Sequence, residues 1–222
     1  MIKRKNIITV AIDSPAAAGA GTQAKLIAKH YNLFSLDTGR IYRLIGKLRL
    51  ENNSKKLNYF FIKKKINKLK LKDLKNKSLL SDKVAISASI IAKDKNIRKI
   101  VHQFQQKCAY NPPMKYAGSI LDGRDITSVQ VKDAMFKFFI TANLETRAKR
   151  RYNEYKKLGK KITLAEVLKS IKKRDKSDRT RKYGPLKKTK DSILINNEKL
   201  GIKQSFLKIK KIMDRKLKNA NL

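Results

Sequence analysis

Small residues stand between an apolar run and a helix-forming stretch near the start of the chain, an order that suits phosphate binding. The apolar run covers residues 7–12, the small residues belong to 14–22, and helix-forming residues continue to Lys29. Small side chains let backbone N–H groups surround an anion, and the N-terminus of the following helix adds donors and a favourable dipole. The sequence therefore predicts a strand, a phosphate loop and a helix, with an ordinary Ala/Gly-rich turn as the alternative interpretation.

One position of this loop lacks the charge that phosphate chemistry uses. Compared with the pattern G-x-x-x-x-G-K-[ST], the loop reads Ser14-x4-Gly19-Ala20-Gly21-Thr22, so Ala20 stands where the lysine belongs. A lysine there would place a positive charge on the β- and γ-phosphates and stabilise the transferring group. The loop alone therefore does not distinguish a nucleotide site from a structural turn.

Polar groups also follow two other apolar runs. Asp37 and Thr38 come after the first of these runs, and Asp122, Arg124 and Asp125 come after the second. At the carboxyl end of a parallel strand such groups face bound ligands. Asp37 or Thr38 also suits a helix N-cap, and Arg124 is expected either to pair with the carboxylates or to bind a phosphate-bearing substrate.

Arginines and aspartates alternate in a basic segment toward the end of the chain. Arg174, Arg179 and Arg181 are interspersed with Asp175 and Asp178, after a helix that is predicted to run from residue 163 to about 173. Carboxylates at this spacing can orient the guanidinium groups for closure over phosphates. A solvated charged surface is the alternative interpretation.

Apolar strands alternate with helical stretches along the chain, which favours a parallel sheet with helices packed on it. Besides the first strand and helix, strands are predicted at residues 34–36, 117–121, 136–142 and 192–196. Helices are predicted at residues 38–51, 81–92, 95–110, 143–151 and 163–173, and from residue 201 onward. The last helix carries Ile202, Phe206, Ile209 and Met213 on one face, which we expect to dock on the core.

The composition bounds the partners and the compartment. The 222 residues include 56 Lys and Arg against 17 Asp and Glu, a net charge of +39 that attracts polyanions. The lysines are spread along the whole chain, so nucleic acid stays an open partner without a recognition module to support it. The single cysteine, Cys108, excludes an internal disulfide, and no apolar run reaches membrane-span length. The protein is therefore expected to be cytoplasmic, with no membrane partner. His30 and His102 are isolated, so we expect no protein-bound metal site.

Taken together, these motifs resemble those of the bacterial cytidylate kinases, P-loop nucleoside monophosphate kinases that transfer the γ-phosphoryl group of ATP to CMP or dCMP. The resemblance is carried, in order, by I-D-x-P-x-x-A-G-x-G-T at residues 12–22, L-D-T-G-x-I-Y-R at 36–43, L-D-G-R-D-I at 121–126, R-A-x-R-R-Y at 147–152, R-D-x-x-D-R-x-R at 174–181 and Pro185-Leu186. Each motif is short, but their order and spacing over nearly the whole chain are specific.

The resemblance implies a single P-loop NTPase domain over residues 1–222, a three-layer α/β fold with a parallel central sheet. Its core would comprise residues 1–52 and 84–222, with a small NMP-binding insert at about 53–83 and a mobile lid at about 174–190. Lysine-rich sequence replaces the acidic stretch that is usual for the insert in this family. A monomer that binds the nucleotides ATP, CMP and dCMP is implied, with Mg²⁺ held through the ATP phosphates.

The resemblance also implies roles for individual residues. The ATP phosphates would lie in the loop formed by Ser14, Pro15, Ala16, Ala17, Ala18, Gly19, Ala20, Gly21 and Thr22. The acceptor nucleotide would be bound by Asp37, Thr38, Arg43, Ser89, Arg98, Arg124, Asp125, Asp178 and Arg181. Arg124, Arg174 and Arg181 would be the catalytic residues, neutralising the transferring phosphoryl group.

The missing lysine leaves two functions open. The first is a (d)CMP kinase in which Arg40 or a neighbouring lid arginine supplies the missing charge. The second is a catalytically weakened nucleotide- or nucleic-acid-binding protein that keeps the kinase fold. The retained acceptor-side and lid arginines favour the enzyme. A related kinase with UMP, AMP or shikimate as acceptor is a further alternative, because residue chemistry alone does not name the base.

Overall fold

A five-stranded parallel sheet forms the centre of the fold. The computed structural model describes residue 4 and residues 6–52 and 58–219 of the chain. The strands are β1 (Ile8–Asp13), β2 (Leu33–Asp37), β3 (Gly118–Gly123), β4 (Phe136–Thr141) and β5 (Ile193–Asn196). They lie in the order β2-β3-β1-β4-β5, and every neighbouring pair is parallel. The predicted α/β class with a parallel sheet is confirmed, and each predicted strand end falls within two residues of the observed one.

Helices connect and cover the strands. They are α1 (Ala20–His30), α2 (Thr38–Glu51), α3 (Tyr59–Asn67), α4 (Asp82–Ile91), α5 (Lys95–Tyr110), α6 (Leu144–Lys157), α7 (Leu164–Thr180) and α8 (Ile202–Asn219). Side-chain caps explain several of the starts: Asp94 accepts from the Ile97 N–H, and Thr163 exchanges hydrogen bonds with Glu166. Within the described part of the chain, no helix is long and apolar enough to cross a membrane.

Apolar side chains alternate along the strands and fill a core on each face of the sheet. Ala11 and Leu36 belong to the core that α2, α4 and α5 cover, whereas Val10 and Ile12 belong to the opposite core, under α1 and α8. A third, smaller cluster packs α6 and α7 against Ala16 of the loop after β1. The sheet therefore lies between two helical layers, and its carboxyl edge carries the loops of interest.

Two sequence expectations were wrong in detail. Helix α7 was predicted to end near residue 173, but it continues to Thr180, so Arg174, Asp175 and Asp178 lie on a helix. Ile202 was expected on the docking face of the last helix, but it is exposed, while Ile209 and Met213 are buried against α1. Because the last two turns of α7 are helical, their arginine and aspartate side chains have a fixed spacing that a loop would not give.

The segment between α2 and α4 corresponds to the insert that the resemblance implies. Its residues 53–57 lie outside the described residues, and the rest contains α3 and two short 3₁₀ turns, Asp73–Lys75 and Lys77–Leu80. Ile62, Ile66 and Leu74 join the core that faces α2 and α5. The domain, insert and lid boundaries stay predictions.

Candidate active site

The loop between β1 and α1 leaves a helix N-terminus without a side-chain cap. Gly19 takes the N-cap position of α1 with φ 94°, and no side chain accepts from the first turn there. Uncapped N–H groups and the helix dipole together form an anion site. Ala17 also has a left-handed φ of 60°, an uncommon conformation for a residue with a Cβ. Ala20, at the lysine position, is the first residue of the helix, and its methyl group is buried in the core.

Asp13, at the end of β1, joins this loop to the segment after β3. Its buried carboxylate accepts hydrogen bonds from the Ile126 N–H at 2.7 Å, the Thr127 N–H at 2.8 Å and the Thr127 hydroxyl at 2.6 Å. These bonds start a π-helical turn, Ile126–Gln130, directly after the Asp125 position. Burial raises the pKa of Asp13 to about 6, although the hydrogen bonds oppose that shift.

A buried ion pair holds the same loop from the other side. Arg147 of α6 and Asp175 of α7 pair, the Ala16 N–H donates to Asp175 Oδ1 at 3.1 Å, and Arg147 Nη1 donates to the Ala16 carbonyl at 3.0 Å. Asn197 Nδ2 donates to the Ala18 carbonyl at 3.2 Å. Because both backbone groups of Ala16 are held by charged partners, the loop is fixed by α6 and α7.

Thr38 and Asp37 lie where β2 meets α2, beside the end of β3. The Thr38 hydroxyl donates to the Asp122 carbonyl at 2.8 Å. A Cβ on Gly123 would lie 2.5 Å from the Thr38 oxygen, so this close approach of the two strand ends requires glycine. Asp37 is at the N-cap position of α2, but its side chain does not cap the helix and instead pairs with Arg40 at 3.3 Å.

The two arginines at the start of α2 are tied to the segment that follows it. Arg40 Nη1 donates to the Leu74 carbonyl and Arg43 Nη1 donates to the Leu79 carbonyl, both at 2.7 Å. Burial, followed by the charge of Arg151, lowers the pKa of Arg43 below its ordinary value. Arg43 therefore lies within a group of like charges that an anion would stabilise.

A buried chain of charges surrounds Asp125. Arg98 pairs with Asp125 Oδ2, Gln130 Nε2 donates to the same oxygen at 2.8 Å, and Arg181 Nη2 lies 3.6 Å from Oδ1. Arg181 Nε also donates to the Gly184 carbonyl at 2.6 Å. A Cβ on Gly184 would overlap both Arg98 and Asp125, so the loop after α7 lies directly on this pair.

Asp178 links that chain to the arginines of the β3 end and of α7. It lies 2.9 Å from Arg124 Nε, 3.3 Å from Arg181 Nη1 and 3.9 Å from Arg174 Nε. Burial alone would raise the pKa of Asp178, but the three guanidinium groups lower it. Burial and the neighbouring Arg124 lower the pKa of Arg174 to about 10, so cations outnumber carboxylates here. Such a surplus is available to phosphate groups.

Asp122, the next-to-last residue of β3, lies opposite the first turn of α1. A Cβ on Gly21 would lie 3.6 Å from Asp122 Oδ2. Burial, and then the charge of Asp37, raise the pKa of Asp122 to about 8, while Arg124 and Lys25 oppose that shift. Oxygen ligands of this kind suit Mg²⁺, although the described residues contain no group of three or more His, Cys, Asp or Glu side chains that could hold a metal ion.

The structure brings most of the predicted site residues to one edge of the sheet. The loop residues 14–22, Asp37, Thr38, Arg124 and Asp125 lie at strand ends, and Arg174, Asp178 and Arg181 approach them from α7. Ser89 is a half-buried residue of α4, the helix packed on α2. Its predicted role at the acceptor site stays a prediction.

Sequence reasoning missed the residues that position the site. Asp13, Arg147 and Asp175 stood inside quoted motifs, but their roles depend on partners more than 100 residues away along the chain. Gln130 lies in a π-helical turn that has no local sequence signature. His102, which is isolated from other metal-ligating residues in the sequence, contacts the Gln130 amide oxygen through Nδ1.

The fold is that of a P-loop NTPase of the kinase type. A strand, a phosphate loop and a helix follow one another along the chain, and the loop lies at the carboxyl edge of a parallel sheet. The sequence profile described as cytidylate kinase matches residues 10–215. A cytidylate kinase from Bartonella bacilliformis is 38% identical over 201 residues, covering 90% of this chain and 92% of that protein. Another from Clostridium botulinum is 37% identical over 212 residues, covering 91% and 95%. The chain belongs to the cytidylate kinase family.

A solved structure agrees with the fold. The crystal structure of an uncharacterized protein from Eubacterium ventriosum superposes with a TM-score of 0.51 at 20% identity, covering 93% of this chain and 98% of that one. At this identity the likeness concerns the fold alone. The family membership therefore rests on the family profile and the sequence relatives, and not on the structural likeness.

Proposed function

We propose that this protein transfers the γ-phosphoryl group of ATP to CMP or dCMP, giving ADP and CDP or dCDP. One observation carries the proposal: the uncapped N-terminus of α1 shares one edge of the sheet with the buried chain of Arg124, Asp178, Arg181, Asp125 and Arg98. Backbone donors would hold one set of phosphates and the guanidinium groups the other. This arrangement supplies the positioning and the charge that phosphoryl transfer needs.

ATP would bind through the loop residues 14–22. The N–H groups of the first turn of α1 would donate to its phosphates, with the Arg147–Asp175 clamp keeping the loop in shape. The Thr22 hydroxyl and the Asp122 carboxylate are oxygen donors near that turn, so they fit a Mg²⁺ that takes its other ligands from phosphates and water. When bound, the cation would neutralise phosphate charge.

The acceptor base would lie against Arg98 and Asp125. A carboxylate accepts from the exocyclic amine of cytosine and repels the carbonyl oxygen that uracil has in its place, while a guanidinium donates to the cytosine ring acceptors. Thr38, Ser89 and Arg43 would complete the nucleotide site, as the resemblance implies. Since Gly184 covers the Arg98–Asp125 pair, the segment at about 174–190 would have to move for the base to enter.

Transfer would proceed in line, without a covalent enzyme intermediate. An oxygen of the acceptor phosphate attacks the γ-phosphorus, and the bond to the bridging oxygen breaks with its electron pair left on ADP. Arg124, Arg174 and Arg181 would face the charge that spreads over the γ-phosphoryl oxygens. The proposal includes a monomer in the cytoplasm, a compartment that the buried free thiol of Cys108 suits.

The test is ADP release from ATP with CMP, dCMP, UMP or AMP as acceptor. We expect CMP and dCMP to be used at least 10-fold more efficiently than UMP or AMP, and Asp125→Asn to reduce that preference. Equal use of UMP would remove cytosine recognition from the proposal. CMP binding with no ADP release would instead identify a nucleotide-binding protein that has lost turnover.

A further inference from the structure

The loop without a lysine needs a positive charge from another element if it is to support transfer. Arg40, which sequence reasoning offered as an alternative to a lid arginine, donates to the Leu74 carbonyl and pairs with Asp37. Arg147 is buried between the Ala16 carbonyl and a carboxylate. If either guanidinium moved, the backbone carbonyl of Leu74 or Ala16 would lose a hydrogen-bond donor.

Lys25 is a better-placed cation. It lies on α1, one turn after Gly21, and residues four apart share a helix face. The Gly21 position is 3.6 Å from Asp122 Oδ2, so the face of α1 that carries Lys25 looks toward the end of β3. Helical side chains lean toward the N-terminus, and one turn rises about 5.4 Å, so a lysine stem reaches back to the first turn.

The electrostatics agree with this placement. The positive charge of Lys25 and the carboxylate of Asp122 attract each other across the end of β3. In the part of the chain that the structure describes, its ammonium makes no ion pair within 4.0 Å and no hydrogen bond. The side chain is exposed. Its charge is therefore available to a ligand without breaking a contact.

We propose that Lys25 is a catalytic residue that supplies, from the second turn of α1, the ammonium that Ala20 lacks. The inference rests on the proposed kinase function. As the bond between the γ-phosphorus and the bridging oxygen breaks, the electron pair stays on ADP and negative charge grows on the β-phosphate. The Lys25 ammonium stabilises that charge, and no proton is transferred.

The test compares variants of exposed lysines on one helix. Lys25→Met keeps the apolar stem and removes the charge, and Lys29→Met, one turn further on, is the matched control. We expect Lys25→Met to lower kcat with CMP about 100-fold, the range for losing one preorganised charge or donor, with a smaller change in KM. Lys29→Met stays within twofold of the unaltered protein. Far-UV circular dichroism confirms that each variant is folded.

A second pair of variants separates catalysis from a general charge effect. Ala20→Lys restores the loop ammonium, and in that background Lys25→Met should cost less than 10-fold. Lys25→Arg keeps the charge, so it should retain more activity than Lys25→Met. Activity of Lys25→Met within threefold of the unaltered protein would overturn the role of Lys25 while the kinase function stands. An unaltered protein that makes no ADP with CMP would overturn both.

Discussion

Asp175→Asn tests whether the buried clamp holds the phosphate loop. The substitution leaves the Arg147 guanidinium buried without its counter-charge, and the Ala16 N–H with an amide oxygen in place of a carboxylate. We expect a lower free energy of unfolding and a raised KM for ATP. The acceptor KM should change less, because Asp125 and Arg98 are held by other partners.

The magnitude follows from burial. The side chains of Arg147 and Asp175 are 8% and 11% exposed, so removing one partner leaves a nearly buried charge, which costs about 3–5 kcal/mol. The asparagine oxygen still accepts from Ala16, and Arg147 keeps the Ala16 carbonyl, so we expect the lower end, about 3 kcal/mol. The control is Glu51→Gln: Glu51 is 52% exposed in its pair with Lys47, so its loss should cost less than about 1 kcal/mol.

Urea unfolding and ATP titration together decide the outcome. The double variant Arg147→Met/Asp175→Leu replaces the pair by apolar groups, so it should recover part of the stability. It should not recover ATP affinity, because neither backbone group of Ala16 regains a charged partner. A loss for Asp175→Asn as small as that for Glu51→Gln, or full recovery of ATP affinity in the double variant, would refute the clamp.

Three further outcomes are expected. Gly184→Ala should raise the KM for CMP at least 10-fold, since the methyl group overlaps Arg98, whereas Gly159→Ala, with open space around it, should leave that KM unchanged. In urea titrations of the nucleotide-free protein, the free energy of unfolding should fall as pH rises between about 4 and 8, because folded Asp122 keeps its proton up to a pKa of about 8. Asp122 alone contributes up to about 1.4 kcal/mol per pH unit to this slope. Asp122→Asn should flatten the slope, and an unchanged slope would contradict the raised pKa of Asp122. Ala17→Gly should stabilise the protein by up to about 1 kcal/mol, as measured by urea unfolding, because φ 60° disfavours a Cβ; a loss of stability would show that the loop is not strained there.

Local signals were sufficient for the framework of the fold. The apolar runs of β1 and β3 placed their strands within two residues, because burial acts over a few positions. The end of α7 was misplaced because the Asp, Ser and Thr residues within 175–180 have lower helix propensities than the Lys and Arg residues between them. In the structure, Asp175 and Asp178 find guanidinium partners on other elements, and these contacts stabilise two more turns.

The supports of the site were harder to predict than its lining. Arg124 and Asp125 stood out at a strand end, whereas Asp13 was quoted only as part of the motif at residues 12–22. Its three hydrogen bonds to residues 126 and 127 depend on the pairing of β1 with β3, which no local pattern encodes. The same holds for Gly184, whose closeness to Arg98 follows from the path of the chain after α7.

The most direct test of the account is to follow the phosphorus atoms themselves. A ³¹P NMR time course of the unaltered protein with ATP, Mg²⁺ and CMP should show the β-phosphorus resonance of ATP and the single resonance of CMP lost at the same rate, while the diphosphate resonances of ADP and CDP appear. A time course in which CMP stays unchanged while the protein binds both nucleotides would contradict the claim that a loop without lysine, aided by charges from other elements, carries out phosphoryl transfer.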